Sequence, residues 1–205
     1  MKTFLSFRPA AAAFLISHLL ISVSCSQNRY RDPWQQPAAI MDSVGVREGM
    51  AIGEAGAGTG YFTFHLSQRV GSSGRIYAND IDKGVLEEIR ERMERESITN
   101  ITTILGEVDD PLFPEGRLDM VIMMNAFHDF SEPTAWMENV IPSMKKGATL
   151  VIIDRDPEKT RSGWDHFMTK DQILDTMAKT DFTLIRLFTF LERDNIYVFG
   201  LDHSP

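Results

Sequence analysis

The chain has 205 residues, an apolar content of 43% and a formal charge of −8, which suits one α/β domain with a full core. The acidic balance repels phosphate backbones and argues against a nucleic-acid partner. Cys25 is the only cysteine, so an intrachain disulfide is excluded.

Residues 1–25 read as a signal peptide. Lys2 and Arg8 form a basic start without acids, Ala10 to Val23 is an apolar run, and Ser22 and Ser24 give the small-x-small pattern of a cleavage site. The run is short for a membrane span, which takes about 20 apolar residues. Cys25 follows directly, as at the lipid-bearing site of bacterial lipoproteins, although Ser22 stands where leucine is typical. The expected location is therefore outside the cytoplasm, periplasmic or lipid-anchored at the membrane through Cys25. A cytoplasmic protein is the alternative if this segment is not a signal. Residues 26–33 are polar and without periodicity, and read as a linker. The domain is expected to run over 34–205, opening at Trp34-Gln35-Gln36-Pro37 with a short helix over Ala38 to Met41.

Gly45 to Gly49 turns into a first strand at Met50-Ala51-Ile52. There follows Glu54-Ala55-Gly56-Ala57-Gly58-Thr59-Gly60 and a helix from Tyr61 to about Val70. Three glycines at alternate positions let the backbone bend sharply and let a ligand approach closely. The free N–H groups opening the helix favour polar or anionic atoms. After the Gly71-Ser72-Ser73-Gly74 turn, a second strand ends at Asp80, about 20 residues past the loop, where an acid can hold the hydroxyls of a ribose.

These two motifs resemble those of the class I S-adenosylmethionine-dependent methyltransferases, and the resemblance covers the chain from about Trp34 to Gly200. It implies S-adenosylmethionine as cofactor and methyl transfer to an unidentified small-molecule acceptor. Glu54, Gly56, Gly58 and Gly60 match the loop that cradles the methionine part, with glutamate where aspartate is usual. Asp80 matches the ribose acid, and Ile81 stands where an apolar side chain packs on adenine. The implied fold is a single Rossmann-like seven-stranded sheet, mostly parallel, with an antiparallel C-terminal hairpin and helices on both faces.

Val85 to about Glu96 reads as a charged helix with Val85, Leu86, Ile89 and Met93 as its buried stripe, and Ile101 to Leu105 as strand 3. In the loop that follows, the resemblance assigns the adenine contact to Glu107 with Val108 first, and to Asp109 second. Leu118 to Met124 is a near-continuous apolar strand, as at the centre of a parallel sheet. It ends in Asn125-Ala126-Phe127-His128-Asp129-Phe130, beyond the carboxyl end of a strand, where open α/β sheets bind ligands. Asn125 is accordingly a cofactor-side candidate. The segment lacks the two prolines of methyltransferases acting on exocyclic amino groups of DNA bases.

Ser131 is expected to cap a helix running to about Met144, with Pro133 in its first turn. Thr149 to Asp154 is strand 5, Thr169 to Gln172 a capping box, Phe182 to Phe190 strand 6 and Asn195 to Gly200 strand 7. His128 is the first candidate for general base, because histidine titrates near neutral pH. His166, on the loop with Trp164 and Asp165, is the second. No metal is expected. Asp154 and Asp156 with Asn125 or Asp129 match the site of catechol-type O-methyltransferases poorly, and Lys159 rules out an EF-hand. Two other functions fit less of the sequence: an exported nucleoside- or S-adenosylmethionine-binding protein without turnover, and a nicotinamide-linked oxidoreductase. The spacing G-x-G-x-G, against G-x-G-x-x-G, opposes the latter.

Overall fold

A computed structural model describes residues 24–160 and 166–201. Segment 1–23, with most of the expected signal peptide, and Trp164 and Asp165 lie outside the described residues. Among the described residues no helix is long and apolar enough to cross a membrane.

Seven strands form one sheet: β1 (Ala51–Ala55), β2 (Arg75–Asp80), β3 (Ile101–Leu105), β4 (Leu118–Met124), β5 (Met144–Arg155), β6 (Phe182–Phe188) and β7 (Asp194–Leu201). Their order is β3-β2-β1-β4-β5-β7-β6. The first five pair in parallel, and β7 runs antiparallel to both β5 and β6. This is the Rossmann-like arrangement anticipated from the motifs. Strand order reverses between β1 and β4, and the crevice beyond their carboxyl ends is the favoured ligand position in such sheets.

Strand alternation sends side chains to two cores. Met120, Ile122 and Met124 of β4, with Val151 and Ile153 of β5, join the face covered by α2 (Pro37–Val44), α3 (Tyr61–Val70) and α4 (Lys83–Glu96). Val121, Met123, Leu150 and Ile152 join the face covered by α5 (Pro133–Val140) and α7 (Lys170–Met177). On α4, Leu86 and Ile89 are fully buried, while Val85 and Met93 are half-buried at the margin of the stripe. The Thr169–Gln172 capping box forms in both directions at the start of α7.

Three local expectations are corrected. Residues 26–33 are helical, within α1 (Ser24–Gln35). That helix is polar, and tertiary contacts hold it: the Tyr61 hydroxyl donates to Asp32 Oδ1 at 2.8 Å, and Gln35 Nε2 donates to Asp194 Oδ2 at 2.6 Å. The cap of α5 is Glu132 and its side chain makes no capping hydrogen bond, so Ser131 does not serve that role. Finally, α5 stops at Val140, a 3-10 turn spans Ile141–Ser143, and β5 starts at Met144, five residues early. Pro142 lacks the N–H that would continue the helix, and Arg117 N donates to Ser143 O, drawing the chain to the sheet.

Candidate cofactor and active site

The loop after β1 places three glycines in the left-handed region, at φ +68° for Gly56, +53° for Gly58 and +86° for Gly60. Their functions differ. A side chain at Gly56 would collide with Ala126 of the chain after β4, so this glycine lets two strand ends approach. A side chain at Gly60 would strike Phe64 and Ile89, so Gly60 seats α3 against α4. At Gly58 a Cβ would meet nothing within 4 Å. Gly58 borders open space, and its N–H donates to Asp80 Oδ2 at 2.8 Å, tying the loop to the end of β2. Asp80 Oδ1 accepts from Asp82 N at 3.0 Å. Each carboxylate oxygen has a second lone pair left for another donor.

A cavity of about 380 Å³ lies against these elements, within the range of small-molecule sites. Gly56 and Gly58 form one side and Asn79, Asp80 and Ile81 the next. Glu107 and Val108 come from the loop after β3, and Asn125, Ala126, Asp129, Phe130, Ser131 and Trp136 from β4 to α5. Ile81 and Val108 are apolar yet 63% and 50% exposed, which leaves two apolar faces open to the cavity side of the fold. Asn79 Nδ2 donates to Pro111 O at 2.9 Å and anchors the loop carrying Glu107 and Val108.

A smaller cavity of about 170 Å³ shares Gly56, Gly58 and Asn125 with the first, so the two are neighbours. Its further lining includes Arg31, Glu54, Thr59, Tyr61 and Met124. Glu54 is 2% exposed and its Oε2 is buried without a hydrogen-bond partner. Burial pushes its carboxyl up to about 8; Thr63 opposes that shift and the Asp80 charge adds to it. Asn125 adopts φ +51°, a conformation asparagine tolerates better than most residues. Its Oδ1 is also buried without a partner. Two orphaned acceptors beside a glycine loop fit a ligand with donors, since such groups are costly to leave unpaired.

The His128 side chain is 4% exposed and sits after β4, facing the end of β5. Its Nδ1 lies 2.8 and 2.9 Å from the two Asp154 oxygens, and its backbone N–H donates to Asp154 Oδ2 at 3.1 Å. Burial alone would lower the His128 pKa, but the Asp154 hydrogen bond and charge, with Asp129, raise it overall against the opposing charge of Arg155. Its Nε2 is 3.6 Å from Asp129 Oδ2, and His166 Nε2 is 3.3 Å from Asp129 Oδ1. His128 lines neither cavity, but its neighbour Asp129 lines the larger one.

Of the sequence candidates, Gly56, Gly58, Asp80, Ile81, Glu107, Val108 and Asn125 meet around the larger cavity and Glu54 lines the smaller one. Gly60 and Asp109 line neither; the Asp109 carbonyl accepts from Asn139 on α5. Arg31, Asn79 and Tyr61 were missed, as was Asp154 as the partner of His128. For a metal, His128, Asp129 and His166 bring one ligand atom each to within 4.8 Å of one another. Proximity alone marks them. Asp156, considered from sequence, instead accepts from Asn195 Nδ2 and Glu158 N.

Residues 52–147 match the model of a methyltransferase domain. The chain is 26% identical over 126 residues to a demethylmenaquinone methyltransferase of Lactococcus lactis subsp. lactis (strain IL1403), covering 62% of this chain and 49% of that protein. It thus spans about half the length of the curated relatives it matches. Among solved structures, a SAM-dependent methyltransferase from Aquifex aeolicus superposes with a TM-score of 0.77 at 21% identity, covering 85% of this chain and 96% of that one. A geranyl diphosphate C-methyltransferase from Streptomyces coelicolor A3(2), solved with Mg2+, geranyl diphosphate and S-adenosyl-L-homocysteine, superposes with a TM-score of 0.68 at 13% identity, covering 84% and 81%. The fold is that of the Rossmann-like methyltransferases.

Proposed function

We propose that this protein is an S-adenosylmethionine-dependent methyltransferase acting on a small-molecule acceptor. The observation that carries this reading is the convergence of Gly58, Asp80, Ile81, Val108 and Asn125 on one cavity at the strand-order reversal. The matched domain and the quinone methyltransferase among its relatives support the same class. Asp80 would hold the ribose, Ile81 and Val108 the adenine faces, and Glu54 and Asn125 the donors of the methionine end.

When bound, S-adenosylmethionine supplies an electrophilic methyl group on a sulfonium that is already a good leaving group. The residues of this chain then chiefly bring the reactants together. An acceptor hydroxyl, amine or thiol must also lose a proton. The Asp154 carboxylate holds a proton on His128 Nδ1, so Nε2, 3.6 Å from the cavity-lining Asp129, is left to take a proton relayed from the acceptor through Asp129. His166, 58% exposed beside Asp129, is the second candidate.

Thermal melting with S-adenosylhomocysteine tests the cofactor. At 100 times the dissociation constant, linkage gives about 2.7 kcal/mol of stabilisation. An unchanged melt of the folded protein at millimolar ligand would refute the reading. Turnover is tested by incubating the protein with methyl-labelled cofactor and a cell extract; unlabelled extract would leave a binding protein only.

The basic and apolar residues before Cys25 support export, with cleavage before that cysteine. Mass spectrometry of the mature N-terminus decides this. A free Cys25 start means secretion and a lipid adduct means anchoring, whereas an intact Met1 in a soluble cytoplasmic fraction defeats both.

A further inference from the structure

We propose that His128, Asp129 and His166 form a binding site for a divalent transition-metal cation of the Zn2+ type at the wall of the larger cavity. Two of the three belong to one 3-10 turn, Phe127–Asp129, in which the Asp129 and Phe130 N–H groups donate to Ala126 O and Phe127 O at 3.0 and 3.1 Å. His166 arrives from the segment before α7. His128 Nε2 stands 3.6 Å from Asp129 Oδ2, and His166 Nε2 stands 3.3 Å from Asp129 Oδ1. Both gaps exceed the roughly 2.9 Å of an ordinary N–H···O bond. They suit the edge of a tetrahedron of donors around zinc, about 3.4 Å for metal–ligand bonds of about 2.1 Å. One donor atom from each residue falls within 4.8 Å of the others. Asp129 and His166 are largely exposed, so rotation of those two side chains closes the remaining distance.

The buried histidine is already supported as a metal ligand would be. Asp154, with a fully buried side chain, holds His128 Nδ1 at 2.8 and 2.9 Å. It is itself fixed by the backbone N–H groups of His128 at 3.1 Å and Arg155 at 2.8 Å. A carboxylate on the far ring nitrogen sets the tautomer and ring orientation of a metal-bound histidine and strengthens its donor atom. The His166 ring meets the His128 ring edge-on, with centroids 4.8 Å apart, and Phe167 packs on both at 4.7 and 5.2 Å. Two imidazoles and one carboxylate suit Zn2+ and its neighbours, whereas Mg2+ takes oxygen ligands. Asp154 acts here as a support and not as a ligand, which separates this site from the oxygen grouping considered from sequence. A cation bound here engages His128 Nε2 and Asp129 together, the two groups of the proton relay, so its arrival stops proton removal. That consequence rests on the methyltransferase reading above; the binding of the cation does not.

The test titrates the chelator-stripped full chain with ZnCl2 and MgCl2 by calorimetry, and with CoCl2 by visible absorption. The wild type is expected to bind zinc, to develop cobalt d–d bands that added zinc abolishes, and to ignore magnesium. His166→Ala alters an exposed side chain, and a melting curve confirms that the variant is folded. It should lose the cobalt bands and weaken zinc by more than the roughly 10–100-fold typical of losing a supporting group behind a ligand. His65→Ala should change neither, which excludes that histidine as the anchor. Zinc affinity and cobalt bands that survive His166→Ala, or magnesium bound as tightly as zinc, would overturn the site. With methyl-labelled cofactor and a cell extract, zinc should suppress labelling by the wild type and a chelator should restore it; labelling that rises with zinc would overturn the blocking role. Zinc bound through His166 without any melting shift from S-adenosylhomocysteine would uphold the metal site and defeat the methyltransferase reading, and the reverse result would overturn the metal site alone.

Discussion

Asp80 and His128 sit on opposite sides of the strand-order reversal, and their environments assign them separable roles. Asp80 lines the cavity and closes the glycine loop, so Asp80→Ala should cost about 10–100-fold in S-adenosylhomocysteine affinity. His128 lies behind the cavity wall, bonded to buried Asp154. His128→Gln should leave cofactor affinity nearly unchanged and lower turnover by about 10²–10⁴-fold once an acceptor is in hand. Calorimetry on both variants checks the first half; the reverse pattern would mean that the two sites are misplaced. Glu54 supplies a pH signature. Its folded pKa of about 8 stands above its ordinary value of 4.5 because burial disfavours the charge. Between those values the folded protein keeps a proton that the unfolded chain has shed, so this group's contribution to stability falls as pH rises through the window. Asp80 on β2 and Arg31 on α1 are the charged groups on either side of it, and Thr63 on α3 is its polar neighbour. Glu54→Gln should remove that decline. Denaturant midpoints from pH 5 to 9 would show a shallower fall for the variant, and parallel curves would contradict the assignment.

At the scale of elements, what could be read in advance depended on how local its cause was. The β4 run Leu118 to Met124 is buried on both faces, and its continuous apolar composition announces it. The glycine loop and Asp80 were legible because their bond lies within one strand–loop–helix–strand unit. By contrast, α1 is polar and carries a proline within it, so neither periodicity nor propensity reveals a helix. Its reasons lie at Tyr61 and Asp194, remote in sequence. The same holds for His128: its place after a strand was readable, but its bond to Asp154 joins the ends of neighbouring strands 26 residues apart. The early start of β5 was hidden because Lys145-Lys146-Gly147 resembles a helix terminus, while the pairing of Met144 with Leu118 decides otherwise.

Across the whole molecule, one buried hydrogen bond joins the two ends of the described fold. Gln35 Nε2 on α1 meets Asp194 Oδ2 at the start of β7, 159 positions later. Arg155 beside Asp194 adds a second contact from β5, and Arg193 lies 4.7 Å from the Trp34 ring. Closing so long a span costs entropy that only the assembled sheet can offset. During synthesis the first helix is therefore made long before the surface that receives it. Its seat exists only once the last hairpin has left the ribosome, so a partly made chain should have the glycine loop but an unclasped site. Asp194→Ala leaves Gln35 without its partner in the finished protein. Hydrogen exchange should then show faster exchange of the 30–35 amides with β1 and β4 still protected. Unchanged protection of those amides would mean that the clasp is not what times the completion of the site.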